Sequence, residues 1–175
     1  DYSKALEYFE EVLKIRLSVY GENHSRVASV YNDIGEIYSV QGDDFKALDY
    51  FKKSLKIVLS VYGENHSQVS SIYDHIGEIY FAQKDYSKAL YYFEESLKIR
   101  LSLFGENHPE VALSYYSIGS LYIIQGDKSK ALNYYEKSLK IRLSVYGENH
   151  PLTKEIMDLI NVANSKVLQS PETTK

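Results

Sequence analysis

The tetrapeptide Gly-Glu-Asn-His occurs four times, at Gly21–His24, Gly63–His66, Gly105–His108 and Gly147–His150, and each copy starts 42 residues after the last. A fixed period of roughly 20–50 residues marks a stacked repeat array, in which each unit buries its apolar face on its neighbours and not in one central core. Cut in that register, 1–42, 43–84, 85–126 and 127–168 are four copies of one unit, and 169–175 is a tail.

Each unit reads as two helices. In 43–84, Asp43 is a candidate N-cap, and Ala47, Leu48, Phe51, Leu55, Val58 and Leu59 recur at the three- and four-residue spacing of an amphipathic helix. Gly63 suits a left-handed C′ position that ends it. A second helix starts near Ser67 and carries Val69, Ile72, Tyr73, Ile76, Gly77, Ile79 and Tyr80, before Lys84-Asp85 turns the chain. Pro109 and Pro151 fit the first turn of the corresponding later helices, where no amide partner is needed. The pattern predicts an all-α chain of eight helices in antiparallel pairs, with no strand. Gly35, Gly77 and Gly119 fall inside helices, where each costs roughly 0.5–1 kcal/mol against Ala. Close approach of the two helices within a unit would offset that cost.

The ends differ. The last helix keeps Ile156, Met157 and Ile160 but places Asn161 and Asn164 where the others have Gly and Tyr, as a terminal capping helix requires. The first helix leaves Tyr8, Phe9 and Leu13 facing an absent predecessor, so head-to-tail self-association through them is expected. The chain begins mid-pattern on Asp1 and reads as a piece of a longer protein, and Gln169–Lys175 reads as a disordered exit.

Composition narrows the function classes. A net charge of −4 and the lack of a basic run argue against nucleic acid. No apolar run approaches the roughly 20 residues that span a bilayer. With no cysteine there are no disulfides or thiolate metal sites, which fits a reducing, cytoplasmic setting. The four periodic histidines cannot form one zinc site, since ligands must converge at about 2 Å and residues one repeat apart lie about 10 Å or more from each other. They are expected near helix N-caps. His75 sits beside Asp74 and Glu78, but no nucleophile or phosphate loop accompanies it, so neither catalysis nor a cofactor is expected.

Tyr31, Ile34, Gly35, Tyr38, Ala47 and Phe51 carry an aromatic–apolar–Gly–Tyr–Ala–Phe spacing that resembles the tetratricopeptide repeat. Tyr73, Ile76, Gly77, Tyr80, Ala89 and Phe93 repeat it, as do Tyr115, Ile118, Gly119, Tyr122, Ala131 and Tyr135. The 42-residue unit is similar to the longer repeats of kinesin light chain and nephrocystin-3, and covers 1–168. The resemblance implies a right-handed α-solenoid whose concave groove holds peptide segments of partner proteins. The positions it places in that groove are Ser29, Asn32, Glu36 and Ser39, then Ser71, Asp74, Glu78 and Phe81. Leu113, Tyr116, Ser120 and Ile123 follow, then Glu155 and Asp158.

Asn32 matches a peptide-backbone clamp, whereas Asp74 and Tyr116 depart from it, and the carboxylate clamp of chaperone-binding relatives is absent. The acids among these positions favour a basic or amphipathic peptide, and Leu113, Tyr116 and Ile123, with Phe81, could hold apolar anchors. A non-enzymatic protein-interaction scaffold is therefore expected. The alternative is a structural or self-associating spacer rod with no groove ligand, and variation at the groove positions over a constant core favours binding.

Overall fold

The computed structural model describes residues 1–165. The expected tail and the last residues of the final unit lie outside them. The chain divides into two compact units, Asp1–Leu103 and one that starts at Phe104.

The first unit holds α1 (Tyr2–Tyr20), α2 (Ser25–Val40), α3 (Asp44–Tyr62), α4 (Ser67–Ala82) and α5, which begins at Tyr86 and runs to Phe104. Its core is built from Val27, Ala28, Ala47, Phe51, Val58, Val69, Ile72, Ile76 and Ile79, each at most 2 % exposed. At roughly 1.5–3 kcal/mol for each large apolar side chain taken from water, this cluster is the main source of the unit's stability. The predicted stripe of α3 splits in two. Ala47, Phe51 and Val58 are buried, whereas Leu48, Leu55 and Leu59 are partly buried against the cluster. The second unit holds α6 (Pro109–Ile124), α7 (Lys128–Tyr146) and α8 (Pro151–Ser165) around Val111, Ala112, Ile118, Leu121, Ala131, Tyr135 and Ile156. On α8, Asn161 and Asn164 are exposed. Among the described residues there is no strand, and no helix is long and apolar enough to cross a membrane.

The in-helix glycines have a specific cause, and it corrects the expected one. A β-carbon on Gly35 would lie 2.8 Å from the ring of Phe51, and one on Gly77 would lie 2.7 Å from Phe93. The neighbour is an aromatic ring of the helix that follows, not the backbone of the preceding helix. Each ring fills the space a methyl group would take, and the burial it gains offsets the propensity cost of glycine.

The Gly-Glu-Asn-His loop is a double helix end. Gly63 closes α3, its amide donating to Leu59 O at 3.0 Å, with φ 78° and ψ −177°. The positive φ is the expected one, but the extended ψ places it in a region that is essentially glycine-only and not in the left-handed helical well. His66 is itself the N-cap of α4, and its Nδ1 accepts from the Gln68 amide at 3.2 Å. Its ring stacks on Tyr62, the last residue of α3, with centroids 4.2 Å apart. His24, His108 and His150 make the same two contacts, with Tyr20, Phe104 and Tyr146. The histidine thus ties one helix end to the next helix start, which accounts for its strict period.

Candidate peptide-binding face

Asn32, on α2, is half-buried, and its Nδ2 donates to Glu36 Oε1 at 2.6 Å. A carboxylate can only accept, so this bond fixes the orientation of the amide. Asn32 Oδ1 is left buried with no hydrogen-bond partner. Glu36 also faces His75 Nε2 at 3.3 Å, and the His75 ring lies flat on Phe51 with centroids 5.0 Å apart. Asn32, Glu36 and His75 therefore form one polar cluster on a rigid floor. His75 belongs to it through Glu36, and not through an acid–base pairing with Asp74.

Asp74 departs from its expected place as an acid available to a basic ligand. Its Oδ2 lies 2.7 Å from Arg100 Nη2, with the two side chains only 18 % and 5 % exposed. Burial pushes its carboxyl up to about 6, against the pull of Arg100 and of the Ser96 hydroxyl. Its charge is matched inside the fold. Glu78 is exposed. Phe81 is half-buried with its ring edge-on to Tyr86, 6.0 Å between centroids, so it contributes to packing first. Asp33, which the sequence pattern did not single out, is half-buried beside this cluster. Burial raises its carboxyl above the ordinary range, Glu36 adds to the rise and Arg16 opposes it.

In the second unit, Tyr116 OH donates to Glu155 Oε1 at 3.2 Å, and the Arg142 guanidinium lies 5.0 Å over the Tyr116 ring. Arg142 Nη1 also reaches Glu155 Oε2 at 3.3 Å, so Glu155, like Asp74, is paired. Ser120 Oγ donates to Tyr116 O at 2.9 Å and lies 3.1 Å from Tyr135 OH. Ile123 is 37 % exposed and lines a small cavity with Tyr135, Leu159, Val162 and Ala163. Asp158 is exposed. Of the expected acids, Asp74 is withdrawn into the fold by Arg100, whereas Glu155 pairs with Arg142 and stays 47 % exposed.

On α1, Tyr8 is exposed and Phe9 half-buried, while Leu13 packs against the core. Leu13 is thus turned inward, and the exposed apolar stripe runs instead through Tyr8, Ile15 and Val19.

The tetratricopeptide-repeat family model matches residues 1–60, 27–102 and 68–144. No curated protein sequence matches the chain. Among solved structures, BtubC (BKLC) from P. vanneervenii superposes with a TM-score of 0.79 at 20% identity, covering 100% of this chain and 78% of that one. The nearly identical TPR-like repeats assigned to a kinesin light chain of Podosopora anserina give 0.72 at 15% identity, covering 97% and 90%. The apo form of RapI gives 0.80 at 18% identity, covering 96% and 58%. At these identities the likeness shows the shared α-solenoid fold. Repeats of this kind generally mediate protein–protein interactions and are typically non-catalytic. With its Gly-to-aromatic contacts in place and the family model matched over most of its length, the chain belongs to the tetratricopeptide-repeat family.

Proposed function

We propose that this chain is a non-enzymatic scaffold that binds a peptide segment of a partner protein on the face carrying Asn32, Glu36, Glu78 and Phe81, with Tyr116, Ser120 and Ile123 serving the same role in the second unit. The observation that carries it is the buried, unpartnered Asn32 Oδ1, held in a fixed orientation on a packed helix. A buried acceptor left without a partner costs free energy, and an amide donor of an extended peptide would recover it. Because the helices hold these groups in place before the ligand arrives, little ordering cost remains to be met on binding. The accessible acids Glu36 and Glu78 favour a basic or amphipathic segment.

Peptide-display selection on the folded chain, in parallel with Asn32→Ala/Glu78→Lys/Tyr116→Ala, tests this. A motif enriched by the parent and lost by the variant is the expected result. Enrichment of nothing by a folded parent favours the spacer reading. A second reading concerns α1, which has no buried residue and exposes Tyr8, Ile15 and Val19. We propose self-association through that stripe, and sedimentation that stays monomeric at high concentration would exclude it.

A further inference from the structure

One register position carries an arginine in three units and not in the fourth. Arg16, Val58, Arg100 and Arg142 are spaced by the 42-residue period. Arg16 Nη1 donates to the Arg26 carbonyl and Arg142 Nη1 to the Leu152 carbonyl, both at 2.6 Å and both ten residues onward. Arg100 pairs with the preceding helix, where Asp74 accepts at 2.7 Å. Arg142 lies over Tyr116, which occupies the same register as Asp74. The guanidinium of this register therefore sits between the preceding helix and the start of the following one.

At Val58 no guanidinium fills that place, but the groups that would surround it remain. The residue in the Asp74 register is Asn32, and the residue ten onward is Gln68, which adds a side-chain oxygen beside the main-chain carbonyl that accepts at that position from Arg16 and Arg142. Asn32 Oδ1 and Gln68 Oε1 are both buried and both without a partner. With Val58 and the Asp33 side chain they line one open cleft of about 230 Å³. Its hydroxyls have already used their protons. Ser29 donates to Ser25 O and Ser71 to Ser67 O, each at 3.1 Å, and Ser54 donates to Ala28 O at 2.8 Å. What the cleft offers a ligand is thus a set of acceptors: two amide oxygens, hydroxyl lone pairs and one carboxylate. An anion finds no donor among these hydroxyls and meets the Asp33 carboxylate in the same lining. A planar cation with five N–H donors and no acceptor matches the set, and an ammonium, with three donors at one point, matches it less well.

We infer that the Val58 cleft receives the guanidinium of an arginine side chain in the bound peptide, occupying from outside the place that Arg16, Arg100 and Arg142 fill from within. This rests on the peptide-binding reading above and specifies its ligand. Asn32 then serves the ligand's side chain as well as its backbone.

The test uses the whole chain. N-acetyl-arginine amide is titrated against the side-chain amide resonances of Asn32 and Gln68, with N-acetyl-lysine amide and N-acetyl-citrulline amide as controls. Saturable shifts with the arginine probe alone are expected, lost in Val58→Arg, which fills the cleft with the protein's own side chain. If Val58→Arg does not fold, Gln68→Met removes one acceptor at similar volume and weakens the shifts. In peptides selected by display, Arg→Lys at the anchoring position is expected to weaken binding about tenfold or more, from the charge-assisted bonds lost. Selected peptides that bind equally well with lysine, together with no shift from the arginine probe, overturn the cleft assignment and leave the peptide-binding reading standing. Shifts from the arginine probe with no peptide enriched overturn the peptide source. Equal shifts from lysine or citrulline overturn the guanidinium specificity.

Discussion

Asp74 and Arg100 offer the sharpest test of how the first unit holds its polar interior. Their side chains approach to 2.7 Å while 18 % and 5 % exposed, and burial raises the Asp74 carboxyl from 3.8 to about 6. At about 1.4 kcal/mol per pH unit, that rise makes the ionised form about 3 kcal/mol less favourable than the protonated form in the fold, relative to the unfolded chain. The folded value lies above the unfolded one, so between pH 3.8 and 6 the native state binds more protons, and stability from this group falls as pH rises through that window. Asp74→Asn removes the titration and keeps an oxygen for Arg100. It is therefore expected to be at least as stable as the parent at pH 7, by at most about 3 kcal/mol, with the gap closing near pH 4. Asp74→Ala also loses the acceptor facing a charged donor, so it is expected to fall below Asp74→Asn by about 2–4 kcal/mol.

Urea unfolding followed by circular dichroism at pH 7 and pH 4, on all three proteins, gives the ordering directly. The exposed carboxylates that cap helices through Lys46, Lys88 and Lys130, namely Asp43, Asp85 and Asp127, are held below the ordinary range by those lysines, and they lose stability as pH falls. They are common to all three proteins and cancel in the comparison. If Asn and Ala both cost about 3–5 kcal/mol with a gap that ignores pH, the charge and not the hydrogen bond holds Arg100, and the reasoning fails.

Three further outcomes follow from local geometry. Gly77→Ala puts a β-carbon 2.7 Å from Phe93 and is expected to destabilise by about 1–3 kcal/mol in thermal or urea unfolding, with partial rescue by Phe93→Leu. Lys84 holds φ 62° where Gly42 and Gly126 occupy the same register, so Lys84→Gly is expected to stabilise by a few tenths to about 1 kcal/mol, read as a raised melting temperature. His66→Ala removes both the cap on Gln68 and the stack on Tyr62. A loss of about 1–2 kcal/mol is expected, and His66→Asn, which restores a cap but not the ring, is expected to recover about half, as unfolding curves would show.

The helices, their bounds within a residue or two and most of the core were legible because an amphipathic period and a repeat period agree at every copy. Val69, Ile72, Ile76 and Ile79 are buried where the spacing put them. The site was legible only in outline. Asp74 looks like an accessible acid in the sequence because its partner, Arg100, lies on another helix, and pairing across helices leaves no mark in local spacing. Leu13 looks exposed in the sequence because its helix opens the array, yet one helix face can meet the following helix whatever precedes it. The orphaned oxygens of Asn32 and Gln68 depend on side-chain orientation, which no periodicity encodes.

In a repeat array the departures from register carry more information than the repeated frame, and the two kinds of departure here have different physics. Lys84 in place of glycine changes only the local backbone, so its effect is confined to one turn. Val58 in place of arginine removes a donor from a shell of acceptors built on three helices, so its effect falls on Asn32 and Gln68, which lie on the two neighbouring helices. The same register at Arg100 shows the alternative solution, where the acceptor is Asp74 and the donor is internal. Asn32→Asp/Val58→Arg should convert the first arrangement into the second. The carboxylate introduced on α2 would meet a guanidinium introduced on α3, and the Gln68 oxygen would gain a donor from the same group. The variant should be no less stable than the parent while losing response to the arginine probe. A stable double variant that still answers the probe would mean that the guanidinium binds elsewhere, and that the gap in the register is a packing accident.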